Sequence, residues 1–214
     1  MTLERAKSVT EVLQTKYNLL PFTGKWEAMI GYPEIAGSWI IWGESGHGKT
    51  RFTLQLCKYL ANFAKVAYNP LEEGISLSFK KALLESGMQS VKNFLILNQE
   101  DIPAIKNRLS RRKSPDIVVI DSLQYSGLTY TAYKQLRAEF PKKLFIFISH
   151  AEGKLPEGRV AKKVRYDAFV KIRVEGYKAF PTSRYGGGEA FTIWDKGAED
   201  YWTNINTKKQ IKTA

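Results

Sequence analysis

Two kinds of apolar pattern take turns along this chain: short continuous runs and longer stretches with helical spacing. Short, unalternated runs rich in β-branched and aromatic residues recur at Trp39–Trp42, Val66–Tyr68, Phe94–Leu97, Ile117–Ile120 and Leu144–Ile148. Between and after them, apolar residues recur at helical spacing over residues 49–63, 75–86, 101–112 and 129–139. Because unalternated apolar strands suit a sheet that is covered on both faces, the pattern predicts an α/β fold in which helices flank a mostly parallel central sheet.

The two ends of the chain have weaker patterns. Residues 2–17 have the spacing of a short surface helix, and the prolines and glycines between positions 21 and 37 predict an irregular segment. The last dozen residues have little apolar surface to bury, so we expect a loose, basic tail. The predicted organisation is an N-terminal helix and linker at residues 1–23, one core at residues 24–202, and the tail at residues 203–214.

The alternation also changes beyond residue 150. Residues 151–165 are polar and basic, which predicts a loop. Two further strands are predicted at Ala168–Val174 and Ala190–Trp194, joined through the glycine-rich turn Gly186–Gly188. We expect this β-hairpin to close the sheet on its C-terminal side.

Charge narrows the class of partner. The chain has 33 lysine and arginine residues against 21 acidic ones, a net charge of +12. Such an excess favours a polyanion, because each neutralised phosphate releases condensed counterions; the alternative is a basic protein that is merely soluble. No apolar run approaches the roughly 18–20 residues that a membrane span needs. The single cysteine, Cys57, lies among leucines, so we expect a buried, reduced thiol and an intracellular protein.

One segment matches a phosphate-binding loop at every fixed position of G-x-x-x-x-G-K-[ST]. It consists of Gly43, Glu44, Ser45, Gly46, His47, Gly48, Lys49 and Thr50, between a predicted strand and a predicted helix. In such a loop, backbone N–H groups turn onto phosphate oxygens at the start of a helix. We expect Lys49 to contact the β- and γ-phosphates, Thr50 to bind Mg²⁺, and Arg51 to complete the nucleotide-binding segment.

A second element supports this prediction. The apolar run Ile117–Ile120 ends in a single carboxylate, Asp121, as a Walker-B strand requires. A strand-end aspartate seen alone more often caps a turn, but beside a phosphate loop it indicates a metal ligand. We therefore predict that Thr50 and Asp121 hold the magnesium ion.

Three further segments occur in a fixed order along the chain. They are Val66–Gly74, which includes Glu72 and Glu73; the strand Phe145–His150; and Ser183-Arg184-Tyr185-Gly186. With these segments and the phosphate loop, the chain resembles the RecA-like P-loop ATPases from about Gly24 to Trp194. The resemblance is strongest to the RadA, KaiC and DnaB-helicase branch. The resemblance implies ATP and Mg²⁺ as cofactors, ATP hydrolysis, and assembly into a homo-oligomer, either a ring or a filament.

The resemblance also implies catalytic roles. Glu72 would orient the attacking water, with Glu73 as the alternative; His150 would sense the γ-phosphate, unless it is a solvent-facing cap. Arg184 would reach the ATP of a neighbouring subunit and stabilise the transferred phosphoryl group, unless it is an ordinary turn residue. Thr182 stands where DnaB-like helicases have a lysine, so one cation is missing there, and Lys178 is the nearby candidate to replace it.

In RecA-like proteins two loops face DNA. The corresponding segments here are Gln124–Thr131 and Ala151–Arg165; a solvated basic surface is the alternative for the second. The residues predicted to contact DNA are Tyr125, Tyr130, Lys154, Arg159, Lys162, Lys163 and Arg165.

These observations favour a DNA-dependent ATPase that acts on single-stranded DNA in recombination or repair, resembling core-only recombinases of phages and prophages. Such a protein would work in the cytoplasm of a bacterial or phage-infected cell. The alternatives are a DnaB-like helicase motor, a KaiC-like regulatory ATPase that binds protein partners without DNA, and, least favoured, a small-molecule kinase.

Overall fold

The computed structural model describes the backbone of residues 5–213 and the side chains of residues 5–205. The strands are β1 Gly37–Trp42, β2 Val66–Pro70, β3 Phe94–Ile96, β4 Ile117–Asp121, β5 Leu144–Ser149, β6 Ala151–Glu152, β7 Leu155–Pro156, β8 Val170–Glu175, β9 Lys178–Ser183 and β10 Phe191–Thr192. The helices are α1 Val9–Leu13, α2 Gly24–Ile30, α3 Lys49–Leu60, α4 Leu77–Glu85, α5 Ile102–Leu109, α6 Tyr130–Glu139, α7 Arg159–Asp167 and α8 Asp195–Thr213.

Eight of these strands form one sheet in the order β10-β9-β8-β1-β5-β4-β2-β3. The strands from β3 to β8 pair in parallel, and β9 pairs antiparallel with both β8 and β10. The predicted α/β fold with a mostly parallel sheet is therefore confirmed. The ends of β1, β2, β4 and β5 meet along one side, which we call the carboxyl edge; β1 and β8 begin at the opposite amino edge.

Both faces of the four central strands β1, β5, β4 and β2 are buried, as the unalternated runs predicted, whereas Leu95 and Ile96 of the edge strand β3 are exposed. In β1, Trp39 and Ile41 pack into the core beneath α2, α3 and α4, whereas Ile40 and Trp42 pack into the core beneath α5, α6 and α7. Burying an apolar side chain of this size stabilises the fold by about 1.5–3 kcal/mol. Two hydrophobic layers thus hold the strand that leads into the phosphate loop.

The closing hairpin differs from the prediction. Strand β8 turns directly into β9 through Gly176 and Tyr177, which both have positive φ, and the glycines at 186–188 connect β9 to β10 instead. Strand β9 escaped prediction because Pro181 interrupts its pattern. Pro181 is tolerated there because β10 pairs only with Ala179 and Lys178, which leaves the rest of that side of β9 unpaired.

Two segments predicted to be irregular contain helices. Residues 24–30 form α2, which buries Trp26, Met29 and Ile30 at helical spacing. Residues 151–165 form the small β6–β7 hairpin and most of α7, which buries Ala161 and Val164 and turns its charged residues outward. The prediction of irregular structure was wrong in both segments. The glycines around residues 24–30 and the many charges of residues 151–165 made the short apolar stripes of these helices hard to recognise.

The chain ends were also predicted only in part. The surface helix predicted at residues 2–17 is confirmed only as α1, which buries none of its residues; residues 2–4 lie outside the described part of the chain. The segment predicted as a loose tail at 203–214 is helical as far as Thr213, as the second half of α8. Within the described residues, no helix is long and apolar enough to cross a membrane.

Candidate active site

The phosphate loop lies at the carboxyl edge, between β1 and α3. Gly46 and Gly48 have positive φ, and a Cβ at Gly43 would lie 2.2 Å from the carbonyl oxygen of Val174, so this path of the backbone requires glycine there. The Lys49 ammonium group donates to the carbonyl oxygens of Gly43 and Glu44, at 2.7 and 2.9 Å. Lys49 is thus folded back over the loop, where a bound phosphate would compete for its N–H groups.

A cavity of about 410 Å³ opens above this loop, and we call it the phosphate cavity. It is lined by Ser45, Gly46, Gly48, Lys49, Thr50, Arg51, Glu72, Glu73, Asp121, His150 and Tyr177. A larger cavity, of about 790 Å³, lies between α2, α3 and the turn before β3, and it contains none of the predicted site residues. The sequence motifs therefore converge on the smaller cavity.

The end of β4 places a buried carboxylate at the base of the phosphate cavity. The hydroxyl group of Tyr68 on β2 donates a hydrogen bond to Asp121. The pKa of Asp121 is raised to about 6, chiefly by burial; Glu72 and Glu73 contribute to the rise, and Tyr68 and Lys49 oppose it. Burial likewise lowers the pKa of Lys49, against the attraction of Asp121 and the neighbouring glutamates.

The residues of the cavity fit a magnesium ion. Thr50 supplies a hydroxyl oxygen and Asp121 a carboxylate oxygen, the hard ligands that Mg²⁺ prefers, and the open cavity leaves room for water and phosphate oxygens as the remaining ligands. A buried carboxylate crowded by two further glutamates is also stabilised by a nearby cation.

The two neighbouring glutamates have different partners. Glu72 lies 2.9 Å from the Nε2 atom of His150, whereas Glu73 accepts hydrogen bonds from the hydroxyl groups of Ser76 and Ser78, at 3.1 and 2.6 Å. Glu73 is thus engaged with the start of α4. Glu72 faces the residue predicted to sense the γ-phosphate, which favours Glu72 as the water-orienting carboxylate.

His150 follows β5 and connects the cavity to the first predicted DNA loop. Its backbone N–H donates to the side chain of Gln124 at 3.4 Å, and its ring centroid lies 6.4 Å from that of Tyr125. Gln124 also donates to the hydroxyl group of Ser149 and the carbonyl oxygen of Glu157. A change at His150 would therefore be felt by both segments that follow β4 and β5.

Solved structures share this architecture. The chain matches the crystal structure of the flagellar accessory protein FlaH from Methanocaldococcus jannaschii with a TM-score of 0.54 and 18% identity, over 84% of this chain and 96% of that one. It matches the solved ATPase domain of a DnaB-like helicase with a TM-score of 0.51 and 18% identity, over 73% and 79% of the two chains. The chain thus has the RecA-like α/β fold. No model of a protein family and no curated protein matches the sequence.

Within the RecA-like core, His47 does not line the phosphate cavity. The backbone N–H of Gly176 donates to its Nδ1 atom at 3.4 Å, and that of Tyr177 donates to its carbonyl oxygen at 3.2 Å. His47 thus anchors the phosphate loop to the turn between β8 and β9. That turn places Tyr177 in the cavity, a position that no sequence motif indicated.

Arg184 lies at the amino edge of the RecA-like core, away from the phosphate cavity of its own chain. Its backbone N–H donates to the carbonyl oxygen of Phe169 just before β8, and its guanidinium group lies 4.9 Å from the centroid of the Phe169 ring. Lys178 begins β9 at the carboxyl edge. Thr182 lies four strand residues, about 13 Å, further along β9, so Lys178 is not positioned to replace a lysine at position 182.

The residues predicted to contact DNA fall into two groups. Tyr125, Lys154 and Arg159 are exposed near the carboxyl edge, and Lys162 pairs with Glu152 at 2.6 Å. The others lie on the surface formed by α6 and α7. The Tyr130 hydroxyl donates to Asp167, Lys163 lies over the Tyr130 ring, and Arg165 lies over the ring of Trp42.

Proposed function

We propose that this chain hydrolyses ATP and acts on single-stranded DNA as a homo-oligomer in recombination or repair, in the manner of core-only phage or prophage recombinases. The observation that supports hydrolysis best is the phosphate cavity, where Lys49, Thr50, Glu72, Asp121 and His150 meet although they come from four separate strand ends. The work of such a protein would be done in the cytoplasm of a bacterial or phage-infected cell.

The proposed reaction uses groups that already line the cavity. Backbone N–H groups of the loop bind the phosphates, and Lys49 exchanges its two carbonyl partners for β- and γ-phosphate oxygens. Thr50 and Asp121 would hold magnesium, which would neutralise charge on those oxygens. Glu72 orients water so that its oxygen bonds the γ-phosphorus as the bond to the bridging oxygen breaks, and Glu72 takes up the released proton.

His150 links this chemistry to the rest of the molecule. Its Nε2 atom is engaged by Glu72, so a γ-phosphate that accepts a hydrogen bond from His150 would free Glu72 to orient water. Arg184 is placed at the far edge of the sheet and would contribute only to the cavity of a second copy. A homo-oligomer is therefore part of the proposal.

Single-stranded DNA is proposed as the partner because of the net charge of +12 and the exposed residues Tyr125, Lys154 and Arg159 beside the carboxyl edge. The test is phosphate release measured with and without single-stranded DNA over a range of protein concentrations. We expect phosphate release to require Mg²⁺ and to increase when DNA is added. Its rate should rise more than in proportion to protein concentration. Turnover that DNA does not change, together with no salt-dependent DNA binding, would favour the regulatory ATPase instead.

A further inference from the structure

A third cavity lies at the amino edge, between α6, α7 and the end of β9. Its volume is about 570 Å³, and the lining residues that matter here are Tyr130, Lys134, Arg137, Tyr166, Asp167 and Arg184. We call it the α6–α7 groove. It is separate from the phosphate cavity, and the cations that line it come from two elements of the chain.

The groove is strongly positive. Lys163, Arg165 and Lys171 are close to the three cations that line it, since Lys163 shares the Tyr130 ring with Lys134, and the pKa of Lys171 is lowered by burial and then by Arg165 and Arg184. Asp167 is the one carboxylate in the lining, and it accepts a hydrogen bond from the Tyr130 hydroxyl at 2.8 Å. Among residues 5–205, none of these six cations forms a salt bridge.

Aromatic rings hold the cations in place of carboxylates. The ammonium groups of Lys134 and Lys163 lie 5.1 and 5.0 Å from the centroid of the Tyr130 ring. The guanidinium groups of Arg137 and Arg184 lie 5.5 and 4.9 Å from the Phe169 ring. Each ring thus keeps two like charges within about 10 Å of each other, an arrangement that an anion between them would stabilise.

Arg137 shows most directly that a partner is missing. Its NH1 atom donates to the Tyr133 hydroxyl at 3.1 Å, but its buried Nε atom has no acceptor. Because Arg137 also forms no salt bridge among residues 5–205, an anion in the groove would stabilise its charge. Phosphate oxygens are the acceptors that guanidinium groups bind best.

We propose that the α6–α7 groove binds the phosphate backbone of single-stranded nucleic acid. The cations are spread over α6, α7 and the end of β9, which suits an extended chain of phosphates better than one compact ion. Tyr166 is 73% exposed beside them and is free to stack on a base. This inference rests on the proposed nucleic-acid partner. It extends the path of the strand from residues of the two predicted segments to Lys134, Arg137 and Arg184, which neither segment contains.

The test compares two double variants with matched charge changes. Lys134→Ala/Lys163→Ala removes the two exposed ammonium groups over Tyr130, and Lys80→Ala/Lys81→Ala removes two exposed lysines of α4 on the opposite face. Binding of a labelled oligothymidylate is measured without ATP as salt is raised. Losing two phosphate contacts should make the slope of log affinity against log salt shallower by about 1.4. DNA affinity should therefore fall about 65-fold at 50 mM salt and about tenfold at 200 mM. The α4 variant should match the unchanged protein.

A single variant tests the stacking contribution. Tyr166→Ala should weaken binding roughly tenfold without changing the salt slope, and Tyr166→Phe should restore the affinity. If Lys134→Ala/Lys163→Ala binds DNA as the α4 variant does, the groove is not the path of the strand, although the proposed DNA partner stands. The groove is also not the path of the strand if Lys134→Ala/Lys163→Ala keeps its DNA affinity but loses turnover that depends on protein concentration. The groove would then face the triphosphate of a second copy. If the unchanged protein shows no salt-dependent DNA binding, both proposals fail.

Discussion

The phosphate cavity and the α6–α7 groove lie at opposite edges of one sheet, and they handle charge in opposite ways. In the phosphate cavity, Lys49 sits among Asp121, Glu72 and Glu44, and Lys49, Asp121 and Glu72 each have a hydrogen-bond partner in the chain. In the groove, cations outnumber the carboxylate Asp167, and aromatic rings rather than carboxylates hold them. In the first site charges of both signs lie together before any ligand arrives, whereas the second site lacks counter-charges for most of its cations.

This difference matches two kinds of work. A catalytic site gains from groups that are fixed in advance, because little reorganisation is then needed as charge develops. A surface for a polyanion gains from unpaired cations, since counterions released on binding supply the affinity. Variants of the two sites should therefore separate chemistry at one edge from binding at the other.

The largest effect is expected from Lys49→Ala. Loss of the ammonium group removes the cation that meets the β- and γ-phosphates, so ATP turnover should fall to background. The fold should persist, because the lysine bonds only two carbonyl groups of its own loop. Phosphate release and circular dichroism measure the two outcomes, and DNA binding without ATP should be unchanged. Turnover that survives would exclude the phosphate loop from the reaction.

Glu72→Gln should reduce turnover by about a thousandfold while nucleotide binding is kept, since the amide cannot accept the proton of the attacking water. Glu73→Gln is the matched control and should have a small effect, because Glu73 bonds Ser76 and Ser78. Single-turnover phosphate release with labelled ATP distinguishes the two variants. Equal losses in both would mean that the glutamates act as a unit, and a larger loss for Glu73 would reverse the assignment.

How much of the candidate site could be predicted from the sequence depends on how far apart its interacting residues lie along the chain. The phosphate loop and Asp121 were predictable because their chemistry requires fixed residue types at fixed local spacing. The choice between Glu72 and Glu73 was not, since it rests on His150, 78 residues further along the chain. Tyr68 and Arg137 gave no signal at all: their roles arise where strands and helices meet in three dimensions.

The fold shows the same limit. Unalternated apolar runs predicted the central parallel strands because burial on both faces favours an apolar residue at every position. Strand β9 was missed because Pro181 fits only where half of a strand edge is unpaired, and that depends on the short partner β10. Helix α7 was missed because two buried residues, Ala161 and Val164, suffice to dock a helix whose other residues are mostly polar.

Arg184 lines the groove at the amino edge and is also predicted to act on the phosphate cavity of a second copy, so its substitution tests both roles. Arg184→Ala should lower turnover of the assembled protein by about a hundredfold if the guanidinium group stabilises phosphoryl transfer in a second copy. Mixing it with Glu72→Gln chains should then restore part of the activity, because some interfaces combine an intact Glu72 with an intact Arg184. If turnover is kept while DNA affinity falls, Arg184 belongs to the groove alone. Absence of rescue at every mixing ratio would exclude action across subunits.

The smallest effect is expected from Tyr68→Phe, which changes the phosphate cavity without touching nucleotide. The variant keeps the ring that packs against Phe79 but removes the hydrogen bond to the buried Asp121. Leaving that carboxylate without its donor should lower the free energy of unfolding by about 1–3 kcal/mol, measured by urea denaturation at neutral pH. Tyr17→Phe, on an exposed tyrosine, should leave stability unchanged. Magnesium with a non-hydrolysable ATP analogue should narrow the gap between Tyr68→Phe and the unchanged protein, because a cation at Asp121 replaces the missing donor. A gap that stays constant as nucleotide and metal are added would argue against Asp121 as a metal ligand, and would make the Tyr68 hydrogen bond a feature of the fold alone.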